Sequence, residues 1–119
     1  MKKILVVDDE DAFRQGVATH LKLEGFDVIE ARDGLEGIEK ATTQLPDVIL
    51  TDVQMDNMNG FVMVEELRQI EATSLIPVIV MTGAAAAAGA WDADIAVEYL
   101  EKPFDLDDLT EAIKRVLPP

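Results

Sequence analysis

The apolar residues of this chain fall in short continuous runs, and that limits the folds open to it more than any other feature. Ile4–Val7, Val48–Leu50 and Pro77–Met81 contain no polar residue. A strand with one wet face alternates apolar and polar side chains, whereas a strand covered on both faces need not. Each run is followed by helical spacing. Phe13, Val17 and Leu21 recur at four residues, Leu35, Ile38 and Ala41 at three, and Phe61, Val64 and Leu67 likewise at three. Leu109, Ile113 and Val116 carry the same signal near the end. Two shorter strand candidates, Phe26–Glu30 and Val97–Leu100, bring the expectation to five strands alternating with five helices. That alternation predicts an α/β fold: a doubly wound, five-stranded parallel sheet with helices on both faces, in three α/β/α layers.

Turn and cap residues punctuate the pattern at the same places. Gly25 follows the first helix, Asp33-Gly34 precedes the second, Asn59-Gly60 the third, and Asp105 the last. The fourth predicted helix is of a different kind. Thr82-Gly83 leads into five alanines, Ala84 to Ala88, then Gly89-Ala90-Trp91-Asp92, with high helix propensity and almost no apolar stripe.

Composition narrows the function classes. The 119 residues, 49% of them hydrophobic, fit one domain spanning 1–119 with a single core. No apolar run can cross a bilayer, and Met1-Lys2-Lys3-Ile4 enters a strand-like segment without a signal peptide's apolar region, so a cytoplasmic protein is expected. Without cysteine there is no disulfide framework and no thiolate metal site, which leaves oxygen ligands or the lone His20 for any metal. A net charge of −14, from 24 acidic against 10 basic residues, repels phosphate backbones and anionic lipid. Neither nucleic acid nor membrane is therefore an expected partner. Most of these carboxylates read as solvated surface.

The exceptions lie just beyond the apolar runs. Ligands of open α/β sheets bind outside the carboxyl ends of the strands, so polar residues there carry information. Asp8, Asp9 and Glu10 follow the first strand, Asp52 the third, Thr82 the fourth, and Lys102-Pro103 the fifth. Taken singly, each has an ordinary reading: caps of the first helix for Asp8, Asp9 and Asp11, a strand-end or capping threonine for Thr82, a loop or turn for Asp52, a surface lysine for Lys102. Taken together they converge on one sheet edge. Two like charges about 4 Å apart repel by roughly 4 kcal/mol at an effective dielectric near 20, so gathered carboxylates call for positive charge. Mg²⁺, which favours a few carboxylate oxygens and retained water, would offset the repulsion, and Lys102 adds a movable point charge. A carboxylate nucleophile, a cation, a lysine and a hydroxyl form a phosphoryl-transfer site whose product is an aspartyl phosphate.

The four strand-end motifs, Ile4-Leu5-Val6-Val7-Asp8-Asp9-Glu10, Asp47-Val48-Ile49-Leu50-Thr51-Asp52, Val78-Ile79-Val80-Met81-Thr82-Gly83 and Tyr99-Leu100-Glu101-Lys102-Pro103-Phe104, together resemble the receiver domain of two-component response regulators. The resemblance covers the whole chain and implies a flavodoxin-like fold and a phosphorylation-dependent signalling switch. It implies that Asp52 accepts a phosphoryl group from a sensor histidine kinase, a histidine phosphotransfer protein or a small phosphodonor, with Mg²⁺ or Mn²⁺ present. Asp9 and Asp52 would ligate the metal directly, Asp8 through water, and Gln54 through its backbone carbonyl. Thr82 and Lys102 would bind phosphoryl oxygens, and the Lys102–Pro103 peptide is expected to be cis. Thr82 and Tyr99 would couple the site to an output face made by the fourth helix, fifth strand and fifth helix, where an effector domain or a second copy would dock. The resemblance implies no enzyme in the usual sense: the domain catalyses only its own phosphorylation and dephosphorylation.

Three departures from the family pattern stand out. Asp56 occupies a position where proline is usual, four residues after the acceptor. The stretch from Thr82 to Lys102 is short by a couple of residues, and a glycine common before the switch aromatic is missing from Asp94-Ile95-Ala96-Val97-Glu98. Two rival functions fit less well. A magnesium-dependent phosphohydrolase of the aspartate-nucleophile kind would carry Asp-x-Asp after the first strand and a cap. A nucleotide carrier would place a hydroxyl-rich or glycine-rich loop where Asp8-Asp9-Glu10 stands. A third alternative, a pseudo-receiver that only binds a partner, would not need the full set of acidic residues.

Overall fold

A computed structural model describes residues 1–53, 55, 58–82 and 98–117. Within them β1 (Lys3–Val7), β2 (Asp27–Ala31), β3 (Val48–Asp52), β4 (Val78–Thr82) and β5 (Glu98–Glu101) form one parallel sheet in the order β2-β1-β3-β4-β5. The described helices are α1 (Asp11–Leu23), α2 (Gly34–Gln44), α3 (Gly60–Gln69) and α4 (Leu106–Val116), with a 3₁₀ turn at Glu71–Thr73. Strand order reverses between β1 and β3, which fixes the switch point of the sheet beside the ends of those two strands.

The continuous apolar runs have the predicted cause. Leu5, Val7, Ile49, Val78 and Val80 point to one face and meet Ala41 of α2 and Met63, Val64 and Leu67 of α3. Their neighbours Ile4, Val6, Val48, Leu50, Ile79 and Met81 point to the other face and meet Val17 and Leu21 of α1 and Leu109, Ala112 and Ile113 of α4. All of these side chains are buried, so alternation along a strand separates two cores and leaves no wet face. Among the described residues no helix is long and apolar enough to cross a membrane.

Local signals set the helix ends. The Asp33 carboxylate accepts from Glu36 N at 2.9 Å, and Asn59 Oδ1 accepts from Val62 N at 2.9 Å, each satisfying a donor that the helix leaves open. Gly25 takes φ +96° after α1, a conformation that a side chain disfavours. Asp105 is the N-cap of α4, yet makes no side-chain cap bond. The second strand runs one residue later than Phe26–Glu30, and the third continues past Leu50 to Asp52 because Thr51 and Asp52 extend the ladders to Val7 and Met81. The fourth predicted helix, Trp91, and the start of the fifth predicted strand at Val97 lie outside the described residues.

Candidate functional site at the carboxyl edge of the sheet

The registers bring the strand-end residues together. Val7 pairs with Thr51 and Asp52 with Met81, so Asp8 and Asp52 leave adjacent strands at the same level. Thr82 pairs with Glu101, which brings Lys102 off β5 at that level too. Asp8, Asp9 and Asp52 each offer a carboxylate oxygen lying within 4.8 Å of the others. Lys102 Nζ lies 3.3 Å from Asp8 Oδ2 and 3.5 Å from Asp52 Oδ2. The Lys102–Pro103 peptide is cis.

Each of the two inner carboxylates is held from two sides. Asp8 Oδ1 accepts from Glu10 N at 2.9 Å and Asp52 Oδ1 from Val53 N at 2.8 Å, leaving both Oδ2 atoms to face the lysine. The N-cap of α1 is Glu10, which makes no side-chain cap bond. Helix capping therefore does not explain Asp8, which is fully buried. Burial pushes the Asp52 carboxyl above its ordinary value and the charge of Asp8 adds to that, while Lys102 and the Val53 N–H pull it partly back. Asp9 is exposed at the rim.

The donor set fits a hard divalent cation. Three carboxylates on one spot face a lysine whose single charge leaves an excess of two negative charges, and oxygen-only ligands suit Mg²⁺ or Mn²⁺. Gln54 and Asp56 lie outside the described residues, as does the side chain of Thr82. Tyr99 sits opposite Val80 in the β4–β5 ladder, partly buried against the core beneath α2 and α3.

Several residues that serve this site were not singled out by sequence reasoning. Arg14, almost fully buried on α1, donates from Nη1 to the Asp8 carbonyl at 2.9 Å and from Nε to Glu30 Oε1 at 3.0 Å, and pairs with Asp11 at 2.8 Å. It ties the chain leaving β1 to α1 and to β2. The available signal was a basic residue placed three after Asp11 in the first turn. Gly60 begins α3 so close to β3 that an added Cβ would come within 2.3 Å of the Asp52 carbonyl oxygen. The Asn59-Gly60 pair marked the helix start without revealing this contact. Phe13, counted as a core position by its spacing, lies under Lys102 with the ammonium 4.2 Å from its ring centroid. His20, by contrast, lies in the last turn of α1, with Nε2 2.9 Å from Thr110 Oγ1.

A flavodoxin-like parallel sheet gathering three carboxylates, one of them fully buried, and a lysine at its carboxyl edge defines a class of acidic-pocket α/β domains. Comparison with known proteins places the chain within that class: the family model described as response regulator receiver domain matches residues 4–114, and the chain belongs to that family. It is 33% identical over 123 residues to the DNA-binding dual master transcriptional regulator RpaA of a Synechocystis strain, covering 98% of this chain and 49% of that protein. It is 34% identical to protein PilH of Pseudomonas aeruginosa over 98% of both chains. The solved structure of the response regulator TrrA of Thermotoga maritima in complex with Mg²⁺-BeF superposes with a TM-score of 0.89 at 30% identity, covering 98% of this chain and 100% of that one. The chain spans about half or less of the length of several curated relatives it matches, among them the regulatory protein AtoC at 25%. The chain is thus a receiver domain of two-component signalling.

Proposed function

We propose that Asp52 is the phosphoacceptor of this receiver and that residues 1–119 form one switch domain. The observation that carries the reading is the cluster itself: three carboxylate oxygens within 4.8 Å of one another, facing one lysine at 3.3 and 3.5 Å. The Asp52 carboxylate attacks phosphorus, an O–P bond forms, and the P–N bond of a phosphohistidine or the P–O bond of an acyl phosphate breaks with its electron pair leaving on the donor. Lys102 neutralises charge on a transferring oxygen, and Thr82 supplies the hydroxyl for another. Asp9 and Asp52 would hold Mg²⁺ or Mn²⁺ directly, Asp8 through water and Gln54 through its carbonyl. The cation would supply charge neutralisation at the phosphoryl oxygens.

The donor partner is a sensor histidine kinase or a histidine phosphotransfer protein, and small phosphodonors substitute for them. The domain turns over nothing but its own acyl phosphate. The added charge on Asp52 draws Thr82 inward and Tyr99 follows, altering the output face that the resemblance assigns to the fourth predicted helix, the fifth strand and the last helix. That face would engage an effector domain or a second copy, and the strongly acidic domain itself engages neither nucleic acid nor membrane. These roles match a cytoplasmic protein. TrrA, solved with Mg²⁺-BeF, supports the metal and phosphoryl assignments by analogy.

The test is intact-protein mass after incubation with acetyl phosphate and Mg²⁺, beside an Asp52→Asn variant and an EDTA control. One phosphoryl adduct that requires both Asp52 and Mg²⁺ is expected. A folded protein that takes no phosphoryl group would make the chain a pseudo-receiver.

A further inference from the structure

We propose that the face of the Phe13 ring is the seat of the Lys102 ammonium, making Phe13 a positioning residue that acts through Lys102 without touching the phosphoryl group. The inference rests on the reading of Lys102 given above. Lysine is a flexible four-carbon stem with a point charge, and fixing such a side chain costs conformational entropy. Asp8 and Asp52 attract the ammonium from the pocket floor, at 3.3 and 3.5 Å. The Phe13 ring holds it from a third side, 4.2 Å from the centroid, within the range of a cation–π contact.

The ring is itself held in place. The Phe104 ring packs against it edge to face, with centroids 6.0 Å apart and planes at 81°. Phe104 stands two residues beyond Lys102, so one loop delivers both the ammonium and the ring that orients its seat. The α1 stripe shows why Phe13 differs from its periodic partners. Val17 and Leu21 are buried in the core, whereas Phe13, one turn earlier, stays partly exposed at the pocket mouth. An aliphatic side chain would fill that volume equally well, but only an aromatic face attracts an ammonium. The contact coexists with both ion pairs, so it does not pull the lysine out of the site.

The test uses the full chain in a series at position 13: Phe13→Leu, Phe13→Tyr, and replacement of Phe13 by mono-, di- and trifluorophenylalanine, which weakens the ring quadrupole while nearly keeping its shape. One readout is the phosphorylation rate with phosphoramidate and Mg²⁺, a donor that bypasses kinase docking. The other is the proton shift of the Lys102 ε-methylene, which an overlying ring moves upfield without any donor or metal. The rate is expected to fall about threefold to tenfold in Phe13→Leu, to fall stepwise with fluorination, and to stay within about twofold in Phe13→Tyr. The upfield shift should vanish in Phe13→Leu. A rate that ignores fluorination, a Phe13→Leu rate equal to that of the parent, or a Lys102 methylene without a ring-current shift would each overturn the inference. A parent protein that takes no phosphoryl group would instead overturn the reading of Asp52 and Lys102, and the methylene shift would still decide the seat.

Discussion

Neutralising Asp52 should stabilise this protein when divalent cations are removed. The ionised carboxylate has an Asp8 oxygen within 4.8 Å, a repulsion of at least about 3.5 kcal/mol at an effective dielectric near 20. Lys102 at 3.5 Å returns about 4.7 kcal/mol on the same scale, and Asp9, being exposed and screened, takes about 1 kcal/mol of that away. The charges nearly cancel, which leaves the cost of burying a carboxylate whose side chain is only 17% exposed. Asp52→Asn keeps an acceptor for the Val53 N–H and gains an amide donor toward Asp8, so a stabilisation of about 1–2 kcal/mol is expected, or a rise in Tm of about 4–8 °C. The pH dependence follows from the raised pKa of Asp52. The cost of its charge is present above the folded-state pKa and is lost as pH falls through that value, so the gap between the two proteins should be widest at neutral pH and close toward acid. Calorimetric melts in EDTA from pH 4 to 8 measure it. Saturating Mg²⁺ should stabilise the parent more than the variant and shrink the gap, since ligand binding to the folded state adds stability by mass action. An Asp52→Asn protein less stable than its parent at neutral pH in EDTA would mean that Lys102 more than offsets both repulsion and burial, the opposite of the balance worked out above.

Other substitutions test the supports of the site. Arg14→Met should cost about 3 kcal/mol in urea unfolding, because it strips a buried partner from Glu30 and leaves the Asp8 carbonyl without its donor. Gly60→Ala forces a methyl against the Asp52 carbonyl oxygen, so α3 must shift; a loss of about 1–3 kcal/mol and slower phosphorylation are expected from melts and intact-mass kinetics. Lys102→Ala should slow phosphorylation by small donors about 100-fold, yet leave Mg²⁺ affinity by calorimetric titration unchanged or higher, since a competing positive charge is gone. Asp33→Ala removes the α2 cap and should cost about 1 kcal/mol without changing phosphorylation rates.

The sheet was readable in the sequence because burial on both faces writes continuous apolar runs, and the strand ends were readable because charge directly after such a run is out of place. Asp8, Asp9, Asp52 and Lys102 could be collected from position alone, and the sheet registers bring them to one level. What escaped was anything whose role depends on a contact across the fold. Phe13 has the spacing of a core residue and its core role is genuine, so periodicity could not reveal that its outer face carries an ammonium. Arg14 reads as one more charge on an exposed helix face until Glu30, sixteen residues on, is known to meet it. The 3₁₀ turn at Glu71–Thr73 leaves no periodic trace in three residues. Tertiary bonds hold it in place, from Thr73 Oγ1 to the Leu67 carbonyl at 2.6 Å and from Arg68 to the Ile76 carbonyl at 2.8 Å.

The site also shows why its residues were conspicuous at all. A fold selected for stability alone would not place a fully buried Asp8 beside an Asp52 whose charge is resisted by burial. Nor would it leave the cluster with more negative charge than Lys102 can balance. The backbone holds one oxygen of each inner carboxylate and the lysine spans the others, so the carboxylates are held close together despite their repulsion. Positive charge brought to that point is therefore favoured by the geometry before any chemistry occurs. Arg14 pins the β1 side and Gly60 lets α3 abut the β3 side, so both strands that carry the inner carboxylates are braced.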